Sequence, residues 1–94
     1  MRDKAHPIRD FVLTPHAILE LRRRNLDEAM VREVLAYPEQ RLVLRSGREV
    51  EQSRLEFGRR RYLFRVFVDV DRSPAEVVTA YRTSKIEKYW RRQS

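Results

Sequence analysis

Arg61-Tyr62-Leu63-Phe64-Arg65-Val66-Phe67-Val68-Asp69-Val70 alternates with a period of two: Tyr62, Phe64, Val66, Val68 and Val70 share one face, while Arg65 and Asp69 fall on the other. A run this rich in β-branched and aromatic side chains predicts the central strand of a sheet. Upstream, Phe57-Gly58-Arg59-Arg60 reads as a turn, which makes 49–57 an antiparallel neighbour, although an unusually polar one. A turn at Ser46-Gly47 leads back to 41–45, with Leu42 and Leu44 on one face. Downstream, residues 71–74 turn the chain into a fourth strand over 76–82, and 84–92 reads as a closing helix with Ser84 and Glu87 at capping-box spacing. Strands joined in sequence by tight turns favour a meander.

Before residue 41 the period is helical. Thr14 is a suitable N-cap and Pro15 fits a first turn, where a missing N–H costs nothing. Ala17, Ile18 and Leu21 form an apolar stripe, and Asn25, a residue that tolerates the left-handed conformation, marks the end. Asp27 caps a second helix carrying Met30, Val31, Val34 and Leu35, and Tyr37-Pro38 stops it. Residues 1–10 read as a flexible arm whose continuation, Phe11-Val12-Leu13, is placed to lay a strand or staple on the core. The expected architecture is one α+β domain: an N-terminal helical hairpin packed on a four-stranded antiparallel sheet, with a short C-terminal helix.

The chain has 94 residues and a net charge of +7, from 21 Lys and Arg against 14 Asp and Glu. That length supplies one modest core and no second domain. Without cysteine there is no disulfide framework, Cys-ligated zinc or thiol nucleophile. Apolar runs are far shorter than a membrane span and no secretory signal opens the chain, so the expected location is the cytoplasm. The basic excess is carried by 18 Arg and 3 Lys. A guanidinium grips phosphate through two hydrogen bonds and stacks on bases, which suits a nucleic-acid surface; an Arg-rich genome gives the same composition with no polyanion partner.

Position separates these readings. On the helical wheel His16, Glu20, Arg23 and Arg24 lie opposite the apolar stripe. An exposed His16 in a first turn suits a general base, and Arg24 is spaced to share a phosphate with it. Arg59, Arg60 and Arg61 stand together at a hairpin tip, splayed to both faces. Tyr81-Arg82-Thr83-Ser84-Lys85, with Tyr89 and Trp90 one turn on, gathers a phenol, a guanidinium, hydroxyls and an ammonium where a strand meets a helix. Ser84 suits a cap better than a nucleophile, and Tyr89 and Trp90 also have core spacing. No metal-ligand spacing, phosphate-binding glycine loop or Ser-His-Asp order occurs, so neither metal nor cofactor is expected.

Thr14-Pro15-His16-Ala17, Arg24-Asn25-Leu26-Asp27, Val34-Leu35 with Pro38-Glu39, and the run from Val78 through Lys85 together resemble domain-of-unknown-function family 4258, which looks related to the RelE/ParE-like toxins of toxin-antitoxin modules. The resemblance implies a helical hairpin on an antiparallel sheet. It also implies a metal-independent endoribonuclease, since RelE-type toxins cleave messenger RNA with Arg, Lys, His or Tyr side chains. ParE-type relatives share the fold, lack nuclease activity and act on gyrase. On the first reading His16 takes the proton of a ribose 2′-hydroxyl, Arg24, Arg82 and Lys85 stabilise the pentacoordinate phosphate, and Thr83 or Tyr89 donates a hydrogen bond. Arg23, Arg59, Arg60, Arg61 and Arg65 then hold the nucleic acid. Two departures stand out: Glu20 occupies a place where the family often has arginine, and Asn25 one where it has glycine. The alternative is a non-catalytic binding module, either a ParE-like protein inhibitor or a basic domain held by an acidic antitoxin. Expected partners are RNA, with or without the ribosome, and that acidic antitoxin protein.

Overall fold

The computed structural model describes residues 6–92. Five strands form one sheet in the order β1-β5-β4-β3-β2. They are β1 (Phe11–Leu13), β2 (Gln40–Arg45), β3 (Arg48–Phe57), β4 (Arg60–Asp69) and β5 (Ala75–Thr83). Two helices, α1 (Pro15–Arg23) and α2 (Glu28–Ala36), precede β2, and one turn of helix, α3 (Ile86–Tyr89), follows β5. The strands from β2 to β5 form the expected antiparallel meander with β4 in its interior.

The expected architecture is corrected in two respects. The sheet is five-stranded and mixed, because Phe11, Val12 and Leu13 pair in parallel with Ala75, Glu76 and Val77. A three-residue strand carries no countable period, and its partner lies more than sixty residues away, so local pattern does not reveal the pairing. The helices also do not form a hairpin packed as a unit. Asn25, at φ +57°, turns the chain after α1. α1 then lies over β5 and β1, while α2 lies over β3 and β4.

Local chemistry explains most boundaries. Thr14 Oγ1 accepts from the Ala17 N–H at 3.0 Å, and Pro15 follows as the first helical residue. Asp27 makes no side-chain cap bond, and the Ser84–Glu87 capping box does not form. Instead Thr83 Oγ1 accepts from the Lys85 N–H at 3.0 Å, and α3 starts later and ends sooner than expected. Of the arm expected over residues 1–10, residues 1–5 lie outside the described residues. Beyond them the Ile8 N–H donates to the Leu35 carbonyl, and Arg41 Nη2 donates to the His6 carbonyl.

The sheet is covered on both sides. Ala17, Leu21, Val31, Val34 and Leu35 of the helices pack on Phe64, Val66, Val68, Val77 and Ala80. On the reverse side residues 86–92 cross the sheet as a strap. Gln40 Nε2 donates to the Arg91 carbonyl at 2.6 Å and Gln40 Oε1 accepts from the Arg91 N–H at 3.0 Å, while Gln52 Nε2 reaches the Tyr89 carbonyl at 3.2 Å. This strap is why β4 buries Leu63 and Arg65 as well as the alternate set that faces the helices.

Candidate nucleic-acid interface

The register of β5 decides which side chains meet. Val68 pairs with Val77 but Phe67 pairs with Thr79, so Val78 is an extra residue, a bulge that reverses the alternation beyond it. Val77 and Ala80 therefore both face the helices, and Arg82 follows Ala80 onto that side. Tyr81 and Thr83 are turned to the reverse side. Arg82 lies 4.5 Å from the centroids of both Phe57 and Tyr62, two rings packed edge to face 5.5 Å apart. Arg60, across the tip from Phe57, lies 5.7 Å from the same Tyr62 ring. Rings hold these guanidinium groups by their faces and leave the N–H edges to solvent.

Gly58, at φ +64°, makes the tip, and a Cβ there would meet nothing within 4 Å. Arg59, Arg60 and Arg61 are all exposed on it. Alternation sends Arg61 to the reverse side, where Arg54, Arg61, Ser84, Lys85, Ile86, Glu87 and Lys88 line an open groove of about 540 Å³. A second lobe of about 340 Å³, lined by Arg54, Ile86, Glu87, Trp90 and Arg92, adjoins it along α3. Arg54 is held by Glu39, with Nε on Oε1 at 3.0 Å and Nη2 on Oε2 at 3.2 Å. The Arg54 hydrogen bond and charge hold the Glu39 carboxyl below its ordinary range despite partial burial. Among the described residues, Arg59, Arg60, Arg61, Arg82, Lys85, Lys88 and Arg92 form no ion pair. Hairpin tip and β5–α3 junction thus make one unpaired basic end of the sheet.

The residues expected to act as one reaction centre are dispersed. His16 is exposed at the start of α1, and its charged neighbour is Glu20 one turn on. Burial of Glu20 raises its carboxyl, but Arg23, Arg24 and His16 outweigh that and hold it below the ordinary range. Arg24, at the other end of α1, ties that end to β5: Nη1 donates to the Ala80 carbonyl at 2.8 Å and to Thr79 Oγ1 at 3.2 Å, and Nη2 lies 2.5 Å from Glu20. Arg23 pairs with Glu20 at 2.6 Å. Glu20, expected on the solvent face, is therefore buried as the acceptor for two arginines.

Arg82 stands on the helix side of β5, whereas Thr83, Lys85 and Tyr89 belong to the reverse side. Thr83 is engaged in the turn into α3, and Tyr89 packs on Arg65 with its ring centroid 4.3 Å from the guanidinium. Arg65 is only 9% exposed; it donates to Gln52 Oε1 at 2.8 Å and to the Tyr81 hydroxyl at 2.7 Å. It fastens the strap to the sheet and is closed to a ligand. The groove adds Arg54, Lys88 and Trp90, which the sequence reading left unassigned as contacts; their signal was the alternation that puts Arg54 beside Arg61 and the helical spacing of Lys85 and Lys88.

A family model described as a domain of unknown function (DUF4258) matches residues 13–82. No curated protein and no solved structure matches the chain.

Proposed function

The chain belongs to that domain-of-unknown-function family, and on this footing we propose that it binds RNA through the basic end of its sheet, without cutting it. The observation that carries this reading is the set of unpaired cations at the Gly58 tip and the β5–α3 junction, three of them, Arg60, Arg82 and Lys88, resting on aromatic rings. Such cations release counterions when they meet phosphates, and arginine planes accept unpaired bases. An endoribonuclease centre would need His16 within reach of the phosphate that Arg82 and Lys85 hold. The α1 start and the far end of β5 lie at different places on the domain, and Arg24 is spent on Glu20 and β5. Binding without cleavage is the activity this arrangement serves best, and it leaves the chain as the basic member of a toxin-antitoxin pair only if an acidic protein competes for the same end.

The test is a titration of labelled single-stranded RNA in EDTA at several salt concentrations. Four or five phosphate contacts at about 0.7 each predict that log K falls against log salt with a slope of about −3. The RNA is expected to stay intact. Absence of binding at low salt would sink the proposal, and EDTA-resistant cleavage that disappears in His16→Ala would restore the nuclease.

A further inference from the structure

Trp90 is the chain's one tryptophan, and it stands in the second lobe of the groove on the reverse side. Its indole is half-buried, and the Arg54 guanidinium lies 4.0 Å from the ring centroid. Both partners are fixed. Glu39 Oε1 accepts from the Arg54 N–H at 2.8 Å as well as from its guanidinium, so one carboxylate sets strand and side chain together. The Trp90 backbone N–H donates to the Ile86 carbonyl at 2.8 Å, and the Gln40 and Gln52 amides hold the strap on either side of it. Arg54, Ile86 and Glu87 line both lobes, so the platform adjoins the lobe where Arg61, Lys85 and Lys88 stand without ion pairs.

Arg54 covers one face of the indole, and this fixed guanidinium–indole stack, beside a cationic lobe, matches a nucleotide in which base and phosphate are neighbours, the base laid on an open face of the stack. Stacking platforms of this kind take any base, since every base has a π-face, but they need that face uncovered. A duplex hides its base faces in its own stack and offers only phosphates. The geometry points to the Arg54–Trp90 platform as a stacking site for one unpaired base of single-stranded RNA, its phosphate held by Arg61, Lys85 and Lys88. This rests on the RNA-binding reading above and narrows it to single strands. Glu39 is the positioning residue of the platform, and Glu87 at the rim of both lobes restrains the local positive charge.

Because Trp90 is unique, its emission reports the site directly. The full chain is titrated with an oligouridylate, a blunt RNA duplex and inorganic polyphosphate, following Trp90 fluorescence and, separately, affinity. The oligouridylate is expected to quench the emission; polyphosphate binds without quenching, and the duplex binds more weakly than the single strand. Loss of one stacked base in Trp90→Ala is expected to weaken oligouridylate binding about tenfold and leave polyphosphate binding unchanged, with Trp90→Phe recovering most of the loss. Lys88→Glu, at an exposed position, is expected to weaken both polyanions while the quench at saturation persists. Oligouridylate binding with unaltered emission, or an equal loss of both polyanions in Trp90→Ala, overturns the stacking site and leaves RNA binding in place. Failure of wild type to bind any RNA overturns both.

Discussion

Two glycines with positive φ make the hairpin turns at opposite ends of the sheet, and their surroundings differ completely. A Cβ on Gly47 would stand 2.5 Å from Asp71 Oδ2, whereas one on Gly58 would meet nothing within 4 Å. Around Gly47 two of the three nearby arginines are matched, and Arg45 alone of them forms no ion pair among the described residues. Arg48 donates to both oxygens of Asp69, at 2.6 and 2.9 Å, and Arg72 stands within 3.0 Å of Asp71 and 3.4 Å of Glu76. Around Gly58 the cations rest on rings or reach into solvent. The same residue type closes one end of the molecule and charges the other, so net charge alone misstates where a polyanion would bind. The useful quantity is the charge left after carboxylates are assigned.

The largest expected effect breaks that asymmetry outright. Replacing Arg59, Arg60 and Arg61 together by Glu is expected to lower RNA affinity about 100-fold at moderate salt and flatten the salt slope, because phosphate contacts become repulsions. These side chains are exposed around an open turn, so the melting temperature is expected to hold. Arg72→Glu, which changes the charge at the matched end, is expected to alter affinity by less than about threefold. Equal losses from both changes would mean that the whole surface, and not one end, attracts RNA.

Arg48→Ala inverts the readout. Asp69 is 7% exposed and its carboxyl is held below the ordinary range chiefly by the Arg48 hydrogen bond. Removing the partner leaves a nearly buried carboxylate without its main donor, a loss of about 2 kcal/mol visible in thermal or urea unfolding. RNA affinity is expected to be unchanged. In the wild type the Asp69–Arg48 contribution is present above the carboxyl's ordinary value of 3.8 and fades as pH falls through its lower folded value.

A third charged group belongs to neither end. Glu51 is fully buried between the sheet and α2, and burial, together with the nearby Glu49 carboxyl, pushes its carboxyl up to about 8 against the pull of Arg41. Arg41 Nε lies 2.7 and 2.8 Å from the two Glu51 oxygens. The folded state therefore holds a proton that the unfolded chain, with an ordinary value of 4.5, releases, and stability falls as pH rises between these values. Glu51→Gln removes that dependence. Its stability relative to wild type is expected to improve as pH rises from 5 to 8, by up to about 1.4 kcal/mol per pH unit, and to level off above that, measured by urea unfolding. A difference independent of pH would show that Arg41 keeps Glu51 ionised throughout.

Much of this comparison was open to a sequence reader, and its limits have physical causes. The alternation of 61–70 located the central strand, and the meander followed from two Gly-containing turns and the 71–74 turn. The turn read at Phe57-Gly58-Arg59-Arg60 also placed Arg59, Arg60 and Arg61 at a tip. The β1–β5 pairing was hidden because three residues carry no period. The partition of the 81–85 cluster was hidden because one extra residue, Val78, decides the facing of everything after it, and a bulge leaves no mark in an apolar run. Arg65 read as a nucleic-acid contact because the strap that buries it comes from the far end of the chain. Glu20 read as exposed on the wheel; two arginines on its own helix turn let it be buried.

The smallest expected effect concerns His16, the residue on which the nuclease expectation turned. It stands at the start of α1, beside Glu20 and away from the unpaired basic end, and its side chain is exposed. His16→Ala is therefore expected to change RNA affinity by less than about twofold, the size of a lone surface substitution, and to leave melting within about 1 °C of wild type. A general base would give a different signature: affinity unchanged and a cleavage rate reduced by a factor of about 100 or more. The two outcomes separate on rate alone, so a single time course with wild type beside His16→Ala decides whether the chain's chemistry ends at holding RNA. An unaffected baseline in both, with binding lost in the tip variant, places function in Gly58's open end and leaves α1 as the helix that Arg24 fastens to β5.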